Sequence, residues 1–149
     1  MTVTIINGPN LNMLGRRDPA IYGAESLEQT IADIRQNFPQ LEVISLQSNH
    51  EGEIIDMLQQ EGSRKDSIGV VLNPGAYAHY SLAIADAVAD MPLPVVEVHI
   101  SNIFAREGFR AVSVTARNAE ALISGCGRNG YSLAVMHLLS LHDRQNKPA

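Results

Sequence analysis

Ile68-Gly-Val-Val-Leu72 restricts the fold of this chain more than any other stretch. It is short, wholly apolar, and bounded by the polar run Lys65-Asp-Ser67 on one side and the turn Asn73-Pro-Gly75 on the other. A strand with one wet face alternates apolar and polar residues; a strand without alternation is buried on both faces, as inside a parallel sheet covered by helices. Four more segments read as strands: Thr2–Ile6, Leu41–Leu46, Pro94–His99 and Ala121–Ser124. Helical spacing separates most of them, and strands that alternate with helices point to an α/β architecture.

The helix signals are local. Ser26-Leu-Glu-Gln29 is a capping box, followed by Leu27, Ile31, Ile34 and Phe38 at helical spacing and stopped by Pro39. Ser48-Asn-His-Glu51 reads as a second capping box, opening a helix with Ile54, Ile55, Met57 and Leu58 on its apolar side. A third helix is expected from about Ser81 to Asp90. A last one is expected from Gly130 to Leu141, apolar through Leu133, Val135, Met136, Leu138 and Leu139, with a polar tail over 142–149. Five such units suit a flavodoxin-like, five-stranded parallel sheet of order 2-1-3-4-5 with helices on both faces.

The 149 residues show no repeat or linker, so one domain over 1–149 is expected. A net charge of −5 with no basic patch argues against a nucleic-acid partner. The single cysteine, Cys126, allows no internal disulfide and fits a reducing compartment. The start M-T-V-T-I-I-N has no basic region before its short apolar run, and no stretch approaches a membrane span. The expectation is a soluble, cytoplasmic protein.

In sheets of this kind, ligands bind beyond the carboxyl ends of the strands. Those ends carry Asn7, Asn73 and His99, and a long loop leaves from the first. From Gly8 to Gly23 it passes through Pro9, Gly15 and Pro19 without periodicity, and it holds Arg16, Arg17 and Tyr22. Long loops inside compact domains are usually functional or disordered. A phenol is only about 0.1% ionised at neutral pH, but a guanidinium held close favours the charged form and can make it a base. A basic surface loop over a tucked tyrosine is the plain alternative.

Other chemistry-bearing residues follow in order. Asn73 at a strand end suits a turn, and His79 suits either a helix start or a ligand. Glu97 and His99 stand two apart on one strand, so their side chains leave the same face. A carboxylate beside an imidazole fixes its tautomer, and burying Glu97 in an apolar strand is costly without such a partner. Ile100-Ser101-Asn102 offers backbone N–H groups as an anion nest. Arg106 and Arg110 share a face if their segment is helical. Gly125-Cys-Gly-Arg-Asn-Gly130 matches a dinucleotide fingerprint literally, but no later strand exists to supply a ribose-binding acid, and its glycines fit a tight strand-to-helix turn better. His50, His137 and His142 lack metal-ligand spacing, so neither metal nor cofactor is expected.

Four stretches together form a signature. N-G-P-N-L-x-x-L-G-x-R-x-P-x-x-Y-G (Asn7 to Gly23), L-N-P-G-A-Y-A-H-Y-S (Leu72 to Ser81), E-V-H-I-S-N (Glu97 to Asn102) and G-x-G-x-x-G-Y (Gly125 to Tyr131) resemble the type II 3-dehydroquinate dehydratases, in order and over nearly the whole chain. The resemblance implies dehydration of 3-dehydroquinate to 3-dehydroshikimate through an enolate, in the shikimate or quinate pathway. It implies Tyr22 as base, Arg17 acting on Tyr22, His99 as acid oriented by Glu97, and Asn10 helping to hold the enolate. It implies Asn73, His79, Ile100, Ser101 and Arg110 as substrate contacts and leaves Arg106 open. Asp86 matches a position that reaches a neighbouring subunit's site, which implies trimers assembled into a dodecamer. Ala78 stands where the family commonly has threonine, and Glu120-Ala121 replaces a more apolar pair.

The alternative is a non-catalytic flavodoxin-like module. A receiver domain needs an acidic cluster and a phosphoacceptor aspartate at strand ends, and a flavin carrier needs a Ser/Thr-rich phosphate loop after the first strand. This chain has Asn7, Asn73 and His99 at those ends, and N-G-P-N-L in that loop.

Overall fold

The computed structural model describes residues 1–16 and 18–146. Thr2–Asn7 forms strand β1, and all six residues are buried. Pleating sends Val3 and Ile5 into one layer of core and Ile6 into another. The remaining strands are β2 (Glu42–Gln47), β3 (Ser67–Asn73), β4 (Val95–His99) and β5 (Ala121–Ser124). All pairings are parallel, in the order β2-β1-β3-β4-β5. This is the flavodoxin-like order expected from the alternation.

The helices are α1 (Pro19–Tyr22), α2 (Leu27–Asn37), α3 (Glu51–Gly62), α4 (Leu82–Ala89) and α5 (Asn129–Gln145). Leu27, Ile31 and Ile34 of α2 and Tyr131, Ala134, Val135 and Leu138 of α5 cover Val3, Ile5, Val71, Val96 and Val98. Ile54 and Leu58 of α3 and Ile84 and Val88 of α4 cover Ile6, Val70, Leu72 and Val95. Both faces are dry, which is why β3 needs no polar alternation.

The Ser26 capping box forms in full: Gln29 N–H donates to Ser26 Oγ at 3.2 Å and Ser26 N–H to Gln29 Oε1 at 2.8 Å. The expected second box does not form. Helix α3 starts at Glu51 with His50 as its cap residue and no side-chain cap. Ser48 Oγ accepts from His50 N–H and bonds Glu53, while Glu51 Oε1 accepts from Ser81 Oγ at 2.5 Å. Tertiary partners have drawn both side chains away from the helix end. Helix α5 also departs from expectation. It runs on through Gln145, and Leu133 and Met136 face outward because the inward stripe is Tyr131, Ala134, Val135 and Leu138.

The register aligns Asn7 with Asn73 and His99 with Ser124, so the carboxyl ends of the strands form one edge. Backbone bonds tie the exits of β1 and β3 together there: Gly8 N–H donates to Asn73 O at 2.7 Å. A Cβ on Gly8 would lie 2.6 Å from the carbonyl oxygen of Pro74. Gly8→Ala is therefore expected to destabilise the protein by about 1–3 kcal/mol through overpacking against backbone, read as a lower denaturation midpoint. A midpoint equal to wild type would mean that the two loops are free to part.

Candidate active site

The loop after β1 is less irregular than its sequence suggests. It makes a 3₁₀ turn at Leu11–Met13 and the short helix α1, which ends on Tyr22. Asn10 takes φ 67°, a left-handed conformation that Asn tolerates better than most residues, and its N–H donates to Asn49 Oδ1 at 3.0 Å. Arg17 lies outside the described residues.

A cavity opens at the strand edge where this loop faces the segments leaving β3 and β4. Asn10 and Tyr22 line one side, and Asn73 and His79 a second. His99, Ile100, Ser101 and Arg110 complete the wall. Asp86 is not among these residues; it is exposed on α4.

Glu97 and His99 make the contact that their spacing on β4 dictates, with His99 Nε2 2.7 Å from Glu97 Oε1. Glu97 is fully buried, and its carboxylate is held by more than the imidazole. Ser113 Oγ donates to Oε1 at 2.6 Å and Thr115 Oγ1 to Oε2 at 2.5 Å. Ala116 N–H donates to Ser113 Oγ at 3.1 Å, which leaves the Ser113 proton for the carboxylate. Three donors converge on one buried carboxylate, as an ion away from water requires. Because Nε2 is committed to Glu97, proton exchange with a ligand falls to Nδ1 of His99.

His79 sits beside it, the two rings stacked at a centroid distance of 6.2 Å. Its Nδ1 lies 2.8 Å from Val112 O. A carbonyl only accepts, so Nδ1 carries the proton and Nε2 of the neutral ring is an acceptor.

Arg106, left open by the sequence, belongs to the cavity. Its Nη1 donates to Tyr22 Oη at 3.3 Å, and its guanidinium carbon is 5.8 Å from the centre of the Tyr22 ring. Arg106 and Arg110 do not share a helix face. They sit around two separate 3₁₀ turns, Ile103–Ala105 and Gly108–Arg110, and converge instead on Glu107, at 3.7 and 3.3 Å from its carboxylate.

The glycine motif serves this wall. Gly125 N–H donates to His99 O at 3.2 Å and Gly127 N–H to Ile100 O at 3.0 Å. Both glycines have positive φ, 88° and 58°, which lets the β5–α5 turn lie against the one after β4. These N–H groups are occupied by protein carbonyls, so the motif braces the Ile100-Ser101 turn.

Two residues absent from the sequence-based set therefore support the site: Ser113 and Thr115. They had a signal, since a buried carboxylate demands donors and Ser113 and Thr115 stand two apart; nothing local said which hydroxyls would arrive.

A cationic phenol contact and a carboxylate-held imidazole facing one cavity suit proton transfer at two points of one small ligand. The family model for dehydroquinase class II matches residues 1–139. The 3-dehydroquinate dehydratase of Roseiflexus castenholzii is 47% identical over 141 residues, covering 93% of this chain and 88% of that one. The Bacillus subtilis protein of the same name is 49% identical over 138 residues, covering 91% and 92%. The crystal structure of type II dehydroquinase from Butyrivibrio crossotus superposes with a TM-score of 0.89 at 45% identity, over 93% of this chain and 97% of that one. With the family model matched over residues 1–139 and relatives near half identity covered along most of their length, the chain belongs to the dehydroquinase class II family.

Proposed function

We propose that this chain is a hydro-lyase that converts 3-dehydroquinate to 3-dehydroshikimate and water. The observation that carries the reading is the pairing of Tyr22 with Arg106 and of His99 with Glu97 around one cavity. Tyr22, as phenolate, takes a proton from the carbon next to the substrate ketone. The electron pair moves onto the ketone oxygen as an enolate, which Asn10 helps to hold through water. Collapse of the enolate expels the β-hydroxyl, and His99 gives it a proton so that it leaves as water. Asn73 and His79 hold substrate hydroxyls; Ile100, Ser101 and Arg110 hold the carboxylate. Arg17 joins Arg106 in stabilising negative charge on the Tyr22 oxygen, a role that rests on the family motif.

The test is direct. Purified protein with 3-dehydroquinate is expected to generate conjugated-enone absorbance; its absence at high protein concentration would sink the reading. A second outcome separates this chemistry from imine chemistry. The only lysines are Lys65 and Lys147. Lys65 is exposed just before β3, at the sheet edge opposite the cavity, and Lys147 lies outside the described residues. Borohydride added with substrate is therefore expected to leave activity intact; inactivation with a labelled lysine would replace this mechanism by a Schiff base.

Asp86 fits a site shared between copies. It lies on the outer side of α4, four residues after Leu82, which is 68% exposed. We read this face as a subunit contact that carries Asp86 to a neighbour's cavity, in trimers that assemble into a dodecamer. A fully active monomer in sedimentation would refute it. Among the described residues no helix is long and apolar enough to cross a membrane, and a cytoplasmic location fits a pathway enzyme of this kind.

A further inference from the structure

Tyr131, the last residue of the glycine motif, takes no part in the chemistry above, yet it is among the most deeply buried polar groups of the molecule. It sits in the first turn of α5, with no exposed surface, and reaches to the carboxyl ends of β1 and β3. Asn73 Nδ2 donates to its Oη at 2.8 Å, and Oη donates to Asn7 Oδ1 at 2.6 Å. Asn7 and Asn73 are register partners on neighbouring strands, so one phenol bridges the side chains at the ends of both.

The direction of each bond follows from the number of protons available. A phenol has one hydrogen, so an oxygen that accepts from Asn73 must spend its own proton on Asn7. Turning the Asn7 amide would place two N–H groups against Oη and strand the phenolic proton. Asn7 Nδ2 instead has no hydrogen-bond partner among the described residues, the lesser cost of the two arrangements. The other end of the Asn73 amide is fixed as well, since Oδ1 accepts from Gly75 N–H at 3.2 Å. Asn73 is nearly buried but lines the cavity. Of its two donors and two acceptor sites, one donor is taken by Tyr131 and one acceptor site by Gly75. The remaining N–H and lone pair are what it offers a ligand. Burial raises the ionisation of the Tyr131 phenol well above its ordinary value, so it remains a neutral donor throughout the assay range.

We infer that Tyr131, with Asn7 behind it, is a positioning residue for substrate: it selects the orientation of the Asn73 amide that faces the cavity. The inference rests on the role of Asn73 in holding a substrate hydroxyl. Without the phenol oxygen only the Gly75 bond distinguishes the two amide orientations. An amide flip then presents an acceptor where the hydroxyl expects a donor.

Tyr131→Phe keeps the ring and deletes one atom. It is expected to raise KM about tenfold, the weight of one hydrogen bond, with kcat within about twofold and the same KM ratio at every pH tested. A merely structural role would lower the melting temperature without this split. The decisive arm repeats the substitution in an Asn73→Ala background. There the amide is gone, so Tyr131→Phe is expected to add nothing to KM. Asn7→Leu removes the acceptor behind the phenol and is expected to raise KM in the same direction; it decides the matter if Tyr131→Phe yields no folded protein. Wild-type KM in Asn73→Ala would remove the binding role of Asn73 itself. A raised KM for Asn73→Ala beside wild-type KM for Tyr131→Phe, or an equal rise in both backgrounds, would overturn the positioning role alone.

Discussion

Tyr22→Phe is expected to lower kcat by about 10²- to 10⁴-fold, the usual weight of a positioned acid or base, while KM stays within a few-fold of wild type. The ring is half-buried and packs against the core formed by α2, α5 and the sheet, so the substitution preserves its anchorage and removes only the oxygen. That oxygen is where Arg106 Nη1 donates. A cation donating to it stabilises the phenolate relative to the phenol, and the contact of 3.3 Å has room to shorten when substrate fills the cavity and water leaves. Arg106→Ala is expected to act on the same step. Combined with Tyr22→Phe it should cost far less than the product of the two single losses, because the guanidinium has no phenolate left to stabilise. Arg17→Ala, tested in the same way, measures how the work divides between the two arginines. Near-wild-type kcat for Tyr22→Phe would mean that the base lies elsewhere, and His99 would be examined next.

Glu97→Gln is expected to cost both activity and stability. The carboxylate accepts from His99, Ser113 and Thr115. An amide has a single oxygen and two N–H groups, so in this fully buried place one of those donors must either turn to accept, as Thr115 could by passing its proton to Ser113 Oγ, or be stranded. A stranded buried donor costs about 1–3 kcal/mol. His99 also loses the carboxylate that orients its ring through Nε2, and kcat is expected to fall about 10²-fold or more. The two readouts separate two meanings of the pair. A lower melting temperature with kcat intact would mark Glu97–His99 as a structural ion pair and move the acid to another residue. A loss in kcat that Thr115→Val reproduces in smaller measure would show that the hydroxyls act through the carboxylate.

Much of this arrangement is legible in residue order, for reasons of short range. The apolar run in β3 excludes water from both faces, and alternation with helices then leaves a parallel sheet, whose ligand edge is known before any side chain is placed. Glu97 and His99 meet because the pleat sends residues two apart to the same face. The Ser26 box closes because both halves lie within one turn. The second box, at Ser48 and Glu51, has an equally good sequence and does not form, because Glu53 and Ser81 compete for its side chains.

That competition marks where the sequence stops speaking. Arg106 reaches Tyr22 across 84 residues, Thr115 reaches Glu97 across 18, and Tyr131 reaches Asn7 across 124. None of these separations has a period, since each is set by the packing of helices and turns on the sheet. The chain by itself determined the layers, the strand order, the edge that carries Asn7, Asn73 and His99, and the Glu97–His99 contact on β4, all of which follow from steric and solvation rules acting over a few residues. The tertiary structure alone decided that Arg106 touches the phenol of Tyr22, which hydroxyls hold the carboxylate and that Tyr131 bonds Asn73. A buried polar group must find a partner, but only the folded chain brings one within hydrogen-bonding distance.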